Sequence, residues 1–312
     1  VNVSSTFGRL VILAKWLFSQ QATSAAIDIT HLCNLKCRYC YWWKQEHPEQ
    51  LGDPEMIAFM KGLRARGLRA AILYGGEPTL RPELCRMASR IFDATLAFTN
   101  GTNGFPELEN GQWILSLDGP KEINDSLRGD GVYDLAVRNV KQAPRPPIVH
   151  MTITRLNQDS IEDFVKEVLG LPVKGIGFSF YTPDRDSDDL NLFIPLQERD
   201  GVVMHLLRLR ERYGERIGFT PAMARQLLSF GEFHKWNRFW ACPVAKRVRC
   251  FQSNGDPKAC TYGDRADCSR CGCAAVVAYR GAFNPIDYRT LRVILGLMVP
   301  GARVCRPVGS WH

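Results

Sequence analysis

Cys33, Cys37 and Cys40 stand within the run Cys33-Asn34-Leu35-Lys36-Cys37-Arg38-Tyr39-Cys40, a C-x3-C-x2-C spacing. Three thiolates so close in sequence can wrap one face of a compact cluster, and thiolates are the usual protein ligands of iron–sulfur clusters. Three ligands rather than four leave one iron open to an exogenous ligand, and an open iron is a place for chemistry. A structural zinc site wants four ligands, ordinarily in paired C-x2-C spacing. Here His31 alone is placed to complete such a set.

Six more cysteines, Cys242, Cys250, Cys260, Cys268, Cys271 and Cys273, crowd a second stretch. The closing C-x2-C-x-C is dense enough to suggest a metal, and Cys250 with Cys260 would complete its ligand set. Structural zinc and reduced, unliganded thiols are the alternatives. Cys85 and Cys305 stand apart and read as buried or incidental thiols. The apolar stretch Leu10–Phe18 is followed by Ser19-Gln20-Gln21 without a small-residue cleavage site. No export signal is therefore read, metal ligation is favoured over a disulfide scaffold, and a cytoplasmic protein is expected.

These residues need a body to position them. The chain has 312 residues, 45% hydrophobic and 23% charged, which suits a folded globular protein with one large α/β domain and an appendage. Forty Lys and Arg against thirty-two Asp and Glu give a net charge of +8, a mild preference for anionic partners. Basic residues are not interleaved with aromatics in one stripe, so nucleic acid is not indicated.

From Ala25 onward short apolar runs alternate with longer amphipathic stretches, as βαβ units do. Strands are predicted at Ala26–Thr30, Ala70–Tyr74, Ala94–Thr99, Trp113–Leu117, Val149–Thr154 and Gly175–Phe180. Helices are predicted near Pro54–Arg66, Pro82–Ile91, Tyr133–Gln142 and Ser160–Leu169. About six such repeats suggest an α/β fold, a partial (β/α)6 TIM-like barrel with a small cysteine-rich C-terminal extension. The turn-rich Tyr181–Asp189 sets a boundary near residue 190. Three parts are expected: an amphipathic helix in residues 1–24, the barrel in 25–190, and a helical, cysteine-rich region in 191–312. In the last, Val202–Tyr213 and Pro221–Phe230 look helical, and Arg289–Val299 is apolar with basic flanks. The N-terminal helix is too short to span a bilayer. It is expected to pack on the main domain, with peripheral membrane contact as the other reading.

The cysteine triad, with the aromatic Tyr39 before its last cysteine, resembles the signature of the radical S-adenosylmethionine (SAM) superfamily. The resemblance implies a 4Fe–4S cluster whose open iron is chelated by SAM and whose electron cleaves it to a 5′-deoxyadenosyl radical. Further matches run in order to about residue 180. Gly75-Gly76-Glu77-Pro78 resembles the family's GGEP element, which touches the methionine amino group through backbone and Glu. Asn100 in Thr99-Asn100-Gly101, and Ser116 and Asp118 in Ser116-Leu117-Asp118-Gly119, end strands where barrel enzymes place their sites. By resemblance Ser116 and Asp118 face ribose or substrate, and Thr154 and Asn157 contact ribose or carboxylate. The stretch Asn124–Leu135 resembles the loop and helix start that follow the fourth strand in family members. Trp42, Trp43, Glu46 and His47 are read as covering the pocket from water, and His150 and His234 as ordinary histidines.

The C-terminal cysteines resemble the auxiliary-cluster extensions of the SPASM and twitch branches, although this chain has too few for two clusters. One auxiliary 4Fe–4S cluster on Cys250, Cys260, Cys268, Cys271 and Cys273 is the expectation. The arrangement of an apolar helix before the triad and a compact cysteine-bearing tail loosely resembles adenosylhopane synthase. The function expected is radical modification of a small-molecule or lipid substrate, with electrons from flavodoxin or ferredoxin. The alternative is a peptide- or protein-modifying enzyme, set lower because residues 1–24 are too few for a peptide-recognition unit. A non-catalytic iron–sulfur electron-transfer protein stands as the remote reading, since it gives the GGEP element no role.

Overall fold

A computed structural model describes residues 3–18, 21–186 and 191–298. Helix α1 (Val3–Phe18) precedes strand β1 (Ser24–Thr30). There follow α2 (Asp53–Ala65), β2 (Ala70–Gly75), α3 (Pro82–Ile91), β3 (Ala94–Thr99), β4 (Gly111–Ser116), α4 (Lys121–Arg128) and α5 (Val132–Lys141). β5 (Ile148–Ile153), α6 (Ile161–Leu169) and β6 (Gly175–Phe180) complete the alternating part. The chain continues through α7 (Leu196–Tyr213), α8 (Pro221–Leu227), α9 (Pro243–Arg247), β7 (Val248–Phe251), β8 (Pro257–Lys258), α10 (Ala274–Phe283) and α11 (Tyr288–Met298).

β1 to β6 pair in parallel, each with its predecessor. This is the partial barrel that the alternation predicts, each predicted strand lying within two residues of its place. β1 is buried along its whole length. A parallel strand covered on both faces reads as such a continuous run. On the outer face, the apolar stripes of α2 (Met56, Met60, Leu63) and α6 (Phe164, Val165, Val168) seal the sheet. Each such side chain contributes roughly 1.5–3 kcal/mol by leaving water.

Two features differ from the sequence-based expectation. The sheet has eight strands in the order β6-β5-β4-β3-β2-β1-β7-β8, with β7 parallel to β1 and β8 antiparallel to β7. Part of the cysteine-rich region thus extends the barrel sheet. Runs of four and two residues are too short to show a period. Second, Asn124–Arg128, read as part of the loop and helix start after the fourth strand, lies in a helix of its own, α4.

The end of the barrel away from the cysteine triad is closed by helices. Ile12 of α1 is fully buried with Ala70, Ala94, Ala282 and Ile294, at the starts of β2 and β3 and on α10 and α11. Arg9 donates from Nε to the Asp93 carbonyl at 3.1 Å. These contacts match the packed reading of α1, although Phe7 and Phe18 stay exposed. Among the described residues no helix is long and apolar enough to cross a membrane. Val299 and Cys305 lie outside the described residues, as do residues 187–190 near the expected boundary.

Candidate active site

The triad loop leaves β1 at Thr30 and is pinned at once to the turn after β2. The Gly76 N–H donates to the Thr30 carbonyl, and the Glu77 N–H to the Leu32 carbonyl, both at 2.9 Å. Gly75 holds φ +117°, and a Cβ there would lie 2.3 Å from the Thr30 carbonyl oxygen. A Cβ on Gly76 would lie 2.1 Å from that of Leu32. Both glycines are therefore demanded by the approach of the triad loop itself. The loop's far side is fixed by the Arg38 N–H, which donates to the Leu127 carbonyl at 2.8 Å. Two tryptophans clamp it: Trp42 donates to the His31 carbonyl at 2.9 Å and Trp43 to the Cys37 carbonyl at 3.0 Å. His47 stacks on Trp42 with centroids 4.2 Å apart.

Glu77 is buried, and its carboxylate braces the strand ends. Oε1 accepts from the Thr79 N–H (3.0 Å), the Thr79 hydroxyl (2.6 Å) and the Thr99 hydroxyl (2.8 Å), while Oε2 accepts from the Asn100 N–H (2.7 Å). Burial raises its pKa, and these hydrogen bonds oppose the rise. Asn100 donates to Asn34 Oδ1 at 2.9 Å, and Asn34 donates to Thr102 Oγ1 at 2.8 Å. The turn after β3 is thereby tied to the residue following Cys33. Asn34 and Thr102 were not singled out from the sequence, and only this pairing across the fold reveals them.

A second brace underlies Tyr39. Its hydroxyl donates to Asp118 Oδ2 at 2.5 Å, Arg128 Nε reaches the same oxygen at 2.7 Å, and Arg128 Nη2 reaches the Tyr39 oxygen at 2.6 Å. Asp118 is fully buried, and its Oδ1 accepts from the Thr152 N–H at 2.9 Å. Asn157 donates to the carbonyls of Asp118 (2.8 Å) and Thr152 (2.9 Å), while its Oδ1 accepts from the Thr154 N–H at 2.7 Å. Asp118, Thr154 and Asn157 were expected to meet cofactor or substrate. In this structure they hydrogen-bond across β4, β5 and α4, and none of the three is among the residues lining the cavity. Polar residues at strand ends suit both tasks, so sequence alone does not separate them.

The cavity occupies about 410 Å³ and opens at the triad. Cys33, Cys37, Tyr39 and Cys40 line it with Gly75, Gly76, Glu77, Pro78, Asn100 and Ser116. Deeper, the inward side chains become apolar and aromatic: Tyr74 and Phe98 stack at 4.6 Å, above Ile72, Leu96, Ile114 and Ile148. His150 also lines this wall, edge-on to Phe98, with its pKa lowered to about 4 by burial. It is neutral at pH 7. Its single place on the inner face of β5 gives no spacing pattern, which is why it read as ordinary.

All the described cysteines are free thiols. Burial pushes Cys33 and Cys40 up to about 11 and raises Cys37 as well. A group that binds them must displace their protons. Among the described residues no three His, Cys, Asp or Glu side chains converge closely enough to hold a single metal ion. Three unpaired thiols around a cavity mouth, with backbone fixed on both sides, are a donor set that fits a thiolate-bound cluster.

The second group assembles around the barrel's open edge. Gly272 is locked to β6: its carbonyl accepts from the Phe180 N–H at 3.0 Å, and its N–H donates to Thr182 Oγ1 at 2.9 Å. That bond sets Cys271 and Cys273 on either side, and Cys273 lines the main cavity. Cys271 and Cys273 are raised by burial and by each other or by Cys242, and Cys242 likewise raises Cys260 and Cys268. Cys242 thus belongs to this group, although the sequence-based ligand set omits it. Cys250, included in that set, is buried on β7 with its thiol toward the Val248 carbonyl, and burial, with Cys260 and Cys273 nearby, pushes it up to about 12. Tyr41 links the two groups: it donates to the Thr261 carbonyl at 3.2 Å and stacks on Tyr262 at 5.4 Å.

Residues 27–168 match the radical SAM superfamily. Residues 27–168 carry a radical SAM domain. The superfamily uses a 4Fe–4S cluster and SAM, which fits the donor set just described. The sporulation killing factor maturation protein SkfB of Bacillus subtilis is 33% identical over 159 residues, 46% of this chain and 39% of SkfB. The pre-heme d1 synthase of Dinoroseobacter shibae is 29% identical over 155 residues, 45% of this chain and 38% of the synthase. The chain therefore matches less than half the length of either relative. Streptococcus suis SuiB bound to S-adenosylmethionine shares the fold with a TM-score of 0.60 at 16% identity, over 80% of this chain and 63% of SuiB. That overlap is longer than the stretch 27–168.

Proposed function

We propose that this chain is a radical SAM enzyme that reductively cleaves SAM and turns the product radical on a substrate held in the barrel. The observation that carries this is the placing of the Cys33, Cys37 and Cys40 thiols at the mouth of a cavity whose other rim is Gly75-Gly76-Glu77-Pro78. Cys33, Cys37 and Cys40 would hold the cluster. When bound, a 4Fe–4S cluster with an open iron supplies one electron to SAM, giving methionine and a 5′-deoxyadenosyl radical.

The protein's own part is to position and to shield. The triad's backbone is fixed by the turn after β2 and by α4, so its thiols are set before anything binds. Glu77 and Asn100 keep the rim at the ends of β2 and β3 in place, with Ser116 beside them. Tyr39 presents its ring to the cavity while Asp118 and Arg128 restrain its hydroxyl. Thr154 and Asn157 act behind it as braces. Trp42, Trp43 and His47 cover the loop's outer side against water and oxygen.

The substrate reading that the cavity supports best is a small molecule or lipid with an apolar or planar part. The wall of Tyr74, Phe98, Ile72, Leu96 and Ile148 would receive that part, and His150, uncharged, offers a polar contact at its edge. A peptide substrate is the second reading, supported by the similarity to SkfB, a maturation protein. In either case the catalytic unit would be residues 25–190, with residues beyond 191 supplying one auxiliary 4Fe–4S site. Flavodoxin or ferredoxin would be the electron donor, in the cytoplasm, with α1 free to touch a membrane surface through Phe7 and Phe18.

The test is anaerobic reconstitution with iron and sulfide, followed by dithionite and SAM, with 5′-deoxyadenosine quantified beside a Cys33→Ala, Cys37→Ala, Cys40→Ala variant. Product from the unaltered chain alone is expected. A fully assembled cluster that releases none, with candidate substrates present, would favour the electron-transfer reading.

A further inference from the structure

Arg199 lies in the first turn of α7, fully buried. Its guanidinium carbon sits 4.5 Å from the ring centre of Phe233 and 5.2 Å from that of Phe180. Nη2 donates to the Leu227 carbonyl at 3.2 Å, but Nε and Nη1 have no hydrogen-bond partner among the described residues. Aromatic faces attract a cation, yet they leave in-plane N–H groups unsatisfied. An arginine stays charged in proteins, and a buried unpaired cation costs several kcal/mol. Its neighbour Asp200 is occupied with Ser229, at 2.8 Å to the backbone N–H. Among the described residues the remaining group with an anionic form near it is Cys271, next to Gly272, which is bonded to the backbone of Phe180, the residue whose ring faces the guanidinium. Cys271 is itself buried among other thiols, where a lone thiolate would be just as costly.

We infer that Arg199 is the counter-cation of the C-terminal thiolate group. It places fixed positive charge behind an iron–sulfur cluster bound by Cys271 and its neighbours Cys242, Cys260, Cys268 and Cys273. The inference rests on the auxiliary-site reading. Phe180 serves both sides of the arrangement, with its backbone holding Gly272 and its ring covering the guanidinium. Arg199 is thus a positioning and charge-balancing residue that need not touch substrate.

The test uses the full chain with Cys33, Cys37 and Cys40→Ala, so that bound iron reports the C-terminal group alone. Iron and sulfide content and the midpoint potential, from a titration followed by electron paramagnetic resonance, are compared for Arg199, Arg199→Lys and Arg199→Met. Loss of the cation disfavours the more negative reduced form. Arg199→Met is expected to shift the reduction equilibrium at least about tenfold toward the oxidised state, roughly 59 mV for one electron. Arg199→Lys should retain most of the potential. If Arg199→Met fails to fold, Arg199→Gln carries the same comparison. Unchanged potential and iron content on losing the charge, or equal shifts in Lys and Met, would overturn the inference while leaving the auxiliary site standing. No iron uptake by the chain with Arg199 intact would instead remove the auxiliary site, and the inference with it.

Discussion

The two cysteine groups are assembled by opposite routes. Cys33, Cys37 and Cys40 lie on one loop whose backbone is bonded to the turn after β2 and to the end of α4. Cys242, Cys260, Cys268, Cys271 and Cys273 come from separate places, and the last two are fixed by the bonds of Gly272 to Phe180 and Thr182. The first group has three thiols and faces the cavity. The second has enough thiols to close a site and reaches the cavity through Cys273 alone. Three local ligands leave room for a reactant, whereas a gathered fuller set suits a cluster that is held and charge-balanced.

The largest effect that should separate the groups is at Gly76. Alanine there puts a Cβ 2.1 Å from the Leu32 carbonyl oxygen and displaces the triad loop. Gly76→Ala is expected to lower SAM cleavage about 10- to 100-fold, as changes supporting metal ligands do, while iron at the C-terminal group persists. Iron analysis beside 5′-deoxyadenosine yield checks this. Next, Arg128→Met strips the partner from Asp118, a fully buried carboxylate. A loss of about 3 kcal/mol or more is expected, seen as a melting temperature lower by on the order of 10 °C. Within the second group, Cys242→Ser should reduce iron toward the content of the triad alone, whereas Cys250→Ser should leave it nearly unchanged. The reverse order would restore the sequence-based ligand set.

Two smaller effects concern the groups' shared behaviour. Cys33, Cys40 and Cys273 are pushed up to about 11, so each remains protonated through neutral pH and must release its proton to bind metal. Iron affinity should therefore rise as pH increases from 7 to 8, by about tenfold for each proton displaced. Chelator competition at the two values measures it. Smallest of all, Tyr41→Phe removes the bond to the Thr261 carbonyl but keeps the stack on Tyr262. About 1 kcal/mol of stability should be lost, measurable by denaturant unfolding.

The contrast also explains what could be read from the sequence. Six strands were legible because continuous apolar runs at regular intervals are the mark of a buried parallel sheet. The triad was legible because its ligands are adjacent in the chain. Strands β7 and β8 were not, since the pairing of β7 with β1 and of β8 with β7 is set by the fold and their own residues are too few for a pattern. Cys242 was grouped with the other five cysteines in the sequence but left out of the ligand set, since it stands thirty-one positions before Cys273 and only the fold sets it within electrostatic reach of Cys260, Cys268, Cys271 and Cys273. Glu77 was found through its motif, yet its four bonds to Thr79, Thr99 and Asn100 were invisible. Asp118, Thr154 and Asn157 show the remaining difficulty. A buried polar brace and a ligand contact call for the same side chains at the same strand ends.

The most direct measurement divides the chain's chemistry in two. Electron paramagnetic resonance spectra of the reduced, reconstituted protein would be recorded with and without SAM for two full-length variants. One lacks Cys242, Cys271 and Cys273, and the other lacks Cys33, Cys37 and Cys40. The account predicts that SAM alters the spectrum of the first and yields 5′-deoxyadenosine, and that it does neither in the second. Iron bound at Cys33, Cys37 and Cys40 that ignores SAM, with no cleavage product, would contradict it.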